Sequence, residues 1–285
     1  MSAKTRSLFA WLSAVLAALW LGLASASAAE VAFPAPGDAV PGAGGITYLD
    51  LLREIVPDLE LSGSVYRGTR VVRLRHIAGP EYESEPPDEP AVATFSVFPL
   101  DGRGRVLLLV DLGMARDAAQ GYAVLALFDP AATPRLLDAA DVAFDRMTWF
   151  LDPASLDLGA GRLAILTMSM HANSSQAYVS NGIILFDADR LSLIDSVFTF
   201  SDKSCAFERS QQAGIETAGA AERAEIVVTV TERTVATGAD CGGEAVPEPS
   251  GRTIRAVYAW DAAESRYRVD GDALQQLASE NAERF

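Results

Sequence analysis

Hydrophobic positions fall into three successive patterns along this chain. An unbroken apolar run spans Leu8 to Ala24, and a short stripe at helical spacing follows over Thr47–Val56. From about residue 70 to 270 the apolar residues come in short blocks rich in Val, Ile, Leu and Phe. These blocks are Arg70–Ile77, Val92–Phe98, Arg105–Asp111, Tyr122–Phe128, Leu163–Met168, Gly182–Phe186, Leu191–Phe200, Glu225–Arg233 and Thr253–Trp260. Turn residues bound most of them, which predicts strands. Ile226, Val228 and Val230 alternate with Thr229 and Thr231, the pattern of a strand buried on one face. Val106–Val110 is continuously apolar and predicts burial on both faces.

The helical stripe has Thr47 in place to cap its start and Pro57 just past its end. A last turn at Asp270-Gly271-Asp272 predicts a terminal helix from Ala273 to about Glu283, capped by Asp272. Residues 30–46, rich in Pro and Gly, read as an extended leader. Ala78–Ala91 holds five acidic residues and four prolines. Proline lacks the donor a central strand needs, so this segment reads as a solvated, mobile loop, with an acidic docking site as the alternative.

The middle of the chain repeats itself. Gly104-Arg105 recurs as Gly161-Arg162. Met114, Asp117, Gln120 and Tyr122 recur as Met170, Asn173, Gln176 and Tyr178. Leu127-Phe128-Asp129 recurs as Leu185-Phe186-Asp187, and Leu136-Leu137-Asp138 as Leu193-Ile194-Asp195. The offsets of 57, 56, 58 and 57 predict two modules, about 101–157 and 158–214, with Ile226–Asp261 as a divergent third. A β-meander module cannot bury its apolar face alone and must stack on a neighbour. The expected fold is therefore all-β: antiparallel meander modules forming a propeller-like or curved two-sheet body over residues 47–285, with short flanking helices at both ends.

Charge and processing signals add a location. Lys4 and Arg6 precede the first apolar run, and Ser25-Ala26-Ser27-Ala28-Ala29 follows it. This is the pattern of a secretory signal peptide, cleaved after Ala28 or Ala29. An uncleaved anchor is the alternative. Removal of residues 1–29 leaves 21 basic against 38 acidic residues, a charge of −17. That balance disfavours nucleic acid and anionic membrane surfaces. No second apolar stretch is long enough for stable membrane insertion. A periplasmic or extracellular protein follows. Cys205 and Cys241, the only cysteines, are expected to form one disulfide in that oxidising space.

Candidate chemistry concentrates in the loop of the second module. His171, Asn173, Ser174, Ser175, Gln176 and Tyr178 form the densest run of neutral hydrogen-bonding side chains. The first module has Ala115, Ala118 and Ala119 where the second has His171, Ser174 and Ser175. Positions polar in one copy only are the better ligand candidates, whereas Gln176 and Tyr178 recur and suit the module's own architecture. The competing reading is a hydrated loop whose Ser and Asn side chains satisfy their own backbone. G-x-S-x-G is absent, so a serine hydrolase would need His171 beside a serine and a distant Asp. His76 shares strand parity with Val72 and Leu74 and reads as a hydrogen-bonded histidine on a half-buried face. Neither a metal motif nor a cofactor motif is present. Asp187 with Asp189, and Asp138, Asp141 and Asp145, are oxygen-rich turns that suit calcium or simple backbone capping. The sequence thus points to a non-catalytic binding or accessory protein of the envelope, its partner a small molecule, a glycan or an envelope protein. The alternative is a secreted hydrolase of envelope esters or glycans using His171.

Overall fold

The computed structural model describes residues 30–100, 104–130, 133–219, 223–238, 241–243 and 246–284. The expected signal peptide lies outside the described residues. The protein is all-β, with a short helix near each end of the described chain.

Near the N-terminus, Thr47 and Asp50 form a reciprocal capping box that starts the helix Tyr48–Arg53. Leu51 and Leu52 are its buried face. Three short strands, β1 (Glu60–Ser62), β2 (Val65–Arg67) and β4 (Ala91–Val92), form a small sheet beside it. The expected strand at Arg70–Ile77 is cut to β3 (Arg75–His76). These two residues pair in parallel with β8 (Arg135–Asp141), while Val72 N–H turns instead to the Ile55 carbonyl at 2.9 Å. Val71 and Leu74 still pack into the core, without strand backbone.

Two larger sheets carry the body. β5 (Phe95–Pro99), β6 (Val106–Met114), β7 (Gly121–Asp129) and β8 form an antiparallel meander with β3 on its edge. The second sheet is an eight-stranded meander of β9 (Met147–Gly159), β10 (Arg162–Ala172), β11 (Gln176–Asp187), β12 (Arg190–Lys203), β13 (Phe207–Ala218), β14 (Glu225–Ala236), β15 (Ser250–Asp261) and β16 (Arg266–Val269). Its order runs from β16 to β9 without closing into a barrel. β12 and β13 share only the pairs Asp202↔Arg209 and Lys203↔Glu208. The sheet therefore folds back on itself at that joint, and Phe200 N–H, freed from the ladder, donates to the Gln211 side chain at 2.9 Å.

Three hydrophobic cores separate the layers. Leu108, Val110 and Phe128 face Leu51, Leu52 and Ile55 of the N-terminal segment. On the opposite face of the same sheet, Leu107, Leu109 and Leu125 meet Ile165, Ile184 and Phe186 of the second sheet. The predicted two-sided burial of Val106–Val110 has this cause. Ala164, Leu166 and Leu185 then face Ile226, Val228, Tyr258 and the C-terminal helix residue Leu277 across the fold of the long sheet. Arg75 ties the two large sheets together: its guanidinium donates to Asp138 at 3.0 Å and to the Leu191 carbonyl at 2.8 Å.

Several local readings change. β9 and β13 are strands that the hydrophobic pattern did not reveal. β9 contains Pro153 and is an edge strand, where a missing donor is tolerated. β13 is mostly polar, and only Gln211 along its length is buried. Asp272 stands at the N-cap of the terminal helix Ala273–Ala282, but its side chain makes no capping hydrogen bond. The helix is held instead by buried Leu277 and Asn281. The acidic segment is also less free than expected. Arg116 forms ion pairs with Glu85 and Asp88 at 3.0 Å each, and Glu85 N–H donates to Asp117. Cys205 and Cys241 are disulfide-bonded, with Cα atoms 5.7 Å apart. No helix among the described residues is long and apolar enough to cross a membrane.

Candidate functional site

Residues 142–146 cross from the first large sheet to the second, and this crossover builds the site. Its path is fixed by hydrogen bonds to the strands around it. His76 Nε2–H donates to the Ala143 carbonyl at 2.9 Å, and Phe144 N–H donates to Ser169 Oγ at 3.1 Å. Gly121 N–H donates to the Asp145 carbonyl at 3.0 Å. Glycine is required at 121, because a Cβ there would lie 2.5 Å from the Arg146 carbonyl oxygen. The result places the Asp145 side chain against His171, at the end of β10.

His171 Nδ1 lies 2.7 and 2.6 Å from the two Asp145 carboxylate oxygens. With Nδ1–H donating to the carboxylate, the other ring nitrogen, Nε2, is free to accept a proton or a hydrogen bond. Tyr178 is the cross-strand partner of His171, and their rings stack at 4.3 Å, 8° from parallel. Phe200 packs against the far side of Tyr178, with centroids 5.0 Å apart. The His171 side chain is 28% exposed and that of Asp145 13%. An oriented imidazole therefore sits on an aromatic stack at the protein surface.

The remaining predicted site residues serve the hairpin itself. Asn173 Oδ1 accepts from Ser175 N–H and Gln176 N–H at 2.9 Å, and from the Ser175 hydroxyl at 3.2 Å. Gln176 Oε1 accepts from Asn173 Nδ2 at 3.1 Å and from the Tyr178 hydroxyl at 3.0 Å. This is the self-satisfied loop that Asn and Ser favour. Ser174 is exposed at the hairpin tip. Of the six predicted residues, the structure brings His171 and Tyr178 into one surface and leaves Asn173, Ser175 and Gln176 as the turn that shapes it.

Two features escaped the sequence reading. The first is Asp145 as the partner of His171, 26 residues away. The second lies behind the crossover, where the inter-sheet core turns polar. Thr148 and Ser169 hydroxyls bond each other at 2.9 Å, and Asp111 accepts from Thr148 N–H at 3.1 Å. Asp141 is only 2% exposed. Its Oδ1 accepts from Ala123 and Ala143 N–H groups at 3.1 and 3.0 Å, while its Oδ2 has no hydrogen-bond partner. Burial pushes its carboxyl up to about 7. Burial raises the neighbouring Tyr122 phenol too, and the Asp141, Glu83 and Glu85 charges add to it. A cavity of about 420 Å³ adjoins Tyr122, lined among others by Arg73, Glu83, Ser84 and Glu85. His76 is buried, its Nδ1 accepting from Ala78 N–H at 3.1 Å. Burial holds its pKa below the usual imidazole value.

The aspartates proposed for oxygen-rich turns are spread among separate tasks. Asp138 binds Arg75 and Leu191 N–H, Asp189 pairs with Arg105, and Asp145 holds His171. Among the described residues, no three His, Cys, Asp or Glu side chains gather at metal-ligand spacing. Comparison with protein-family models, with characterised proteins and with solved structures gives no match.

Proposed function

We propose that this is an exported, non-catalytic binding or accessory protein of the cell envelope, whose ligand docks on the surface formed by His171 and Tyr178. The ligand class is a small molecule, a glycan or an envelope protein. One observation carries the reading: Asp145 and Tyr178 fix the His171 ring at the surface. An oriented hydrogen-bonding group on a rigid sheet, stacked on an aromatic ring, suits recognition. Export into an oxidising space is supported by the signal-peptide pattern and by the Cys205–Cys241 bond.

A hydrolase is the second reading, and the Asp145–His171 pair favours it. A carboxylate on Nδ1 is how a general base is held in its working tautomer. Turnover of generic ester and glycan substrates by the purified protein and by His171→Ala separates the two. The binding reading expects no turnover by either form, together with retention of the wild type on isolated envelope fractions that His171→Ala weakens. Turnover that disappears in His171→Ala overturns it in favour of the hydrolase.

A further inference from the structure

Apart from Met1, the chain has four methionines: Met114, Met147, Met168 and Met170. Methionine ordinarily fills gaps in a core, yet none of these four is buried. Met147 is 51% exposed, and Met168 and Met170 are half-buried. Three of them share one patch of sheet. Met168 and Met170 are two residues apart on β10, so their side chains leave the same face. In the β9–β10 ladder Met170 is paired with Met147, and Met168 with Trp149. Directly opposed side chains in such a ladder start about 4.5–5.5 Å apart at Cβ. Each thioether arm has three rotatable bonds, so the three sulfurs are able to converge on one point beside the indole. Trp149 is 37% exposed, which leaves its ring open to whatever sits there.

The chemistry of this donor set is narrow. Thioethers are neutral, soft and weakly hydrogen-bonding, and they select soft cations such as Cu(I) over calcium or magnesium. An indole face adds attraction for a desolvated cation. The excess of acidic residues, 38 against 23 basic, draws cations toward the protein. No thiol competes, because both cysteines are disulfide-bonded. We infer that Met147, Met168 and Met170, flanked by Trp149, form a binding site for a soft monovalent cation, Cu(I) or Ag(I). The site is independent of the reading given for His171. That residue alternates with Met170 on β10, so its side chain leaves the opposite face of the strand.

Ag(I) tests the site because it needs no reductant. Silver nitrate is titrated into the purified, disulfide-bonded protein in chloride-free buffer, and binding is followed by calorimetry and tryptophan fluorescence. The wild type is expected to bind one Ag(I) and to lose fluorescence, and Trp149→Phe to remove the fluorescence change while binding persists. The triple variant M147L/M168L/M170L keeps the apolar surface but lacks sulfur. Its affinity is expected to fall by at least about tenfold, the low end of what even supporting residues contribute to a metal site. An unchanged circular dichroism spectrum certifies its fold, and His171→Ala is expected to bind Ag(I) as the wild type does. The proposal is overturned by a wild type that does not bind Ag(I), or by a triple variant that binds it equally well. A loss confined to His171→Ala overturns it too, since the imidazole would then be the ligand.

Discussion

Asp141→Asn tests the buried polar end of the core directly. In the wild type the carboxyl stands at about 7 in the folded protein against 3.8 for an ordinary aspartate. Below pH 4 both folded and unfolded chains carry the proton, and the contribution to stability is at its maximum. Between pH 4 and 7 the unfolded chain releases the proton while the folded protein keeps it. Stability therefore falls as pH rises, by up to about 1.4 kcal/mol per pH unit, and the full difference amounts to about 4 kcal/mol. Above pH 7 the ionised group stays buried with Oδ2 unpartnered, and the penalty is complete. Asparagine does not titrate, and its Oδ1 is able to keep the hydrogen bonds from Ala123 and Ala143. His76, lowered by burial, pulls the other way, since it favours folding as pH rises toward 6.5. It is present in both proteins and cancels in their difference. Urea unfolding of wild type and variant from pH 5 to 8 measures the effect. The wild type should lose about 3 kcal/mol relative to Asp141→Asn across that range. Two stability curves that stay parallel within about 0.5 kcal/mol would show that Asp141 is solvated or paired, and would refute the reasoning.

Two further outcomes concern the C-terminal half. Asn281 is fully buried and exchanges two hydrogen bonds with Gln211, at 2.8 and 2.9 Å, while Gln211 also donates to Glu232. Asn281→Ala should cost about 1–3 kcal/mol by leaving part of the Gln211 amide unpaired. Hydrogen exchange should then show faster opening of the helix Ala273–Ala282, and unchanged protection there would refute the coupling. The disulfide closes a 36-residue separation, so on the chain-entropy model Cys205→Ser with Cys241→Ser should lose about 4 kcal/mol. A melting temperature that does not move would mean that the unfolded chain is not constrained by this bond.

The gap between pattern and structure falls at identifiable places. Val106–Val110 was legible because a two-sided apolar strand has one physical explanation, burial between two layers. The helix at Tyr48–Arg53 was legible because Thr47 and Asp50 cap it locally. β9 was not, because an edge strand tolerates Pro153 and exposed polar positions, and β13 was not, because its residues are mostly polar and only Gln211 among them is buried. In the candidate site, the loop bearing His171 and Tyr178 stood out by composition, but the partner that orients the imidazole did not. Asp145 stood out only as one of a cluster of turn aspartates, and nothing local marks it as the partner of His171.

By itself the sequence determined the alternation of strands and turns, the helices at either end, the cysteine pair and the surplus of negative charge. Each depends on neighbouring residues or on simple counts. Only the tertiary structure decided that residues 142–146 cross between sheets and deliver Asp145 to His171. It also decided that Asp141 is sealed from water, and that Met147 stands opposite Met170. Strand register and the meeting of sheet faces are set by packing between segments distant in the chain, and periodicity along one segment carries no information about its partner across the ladder.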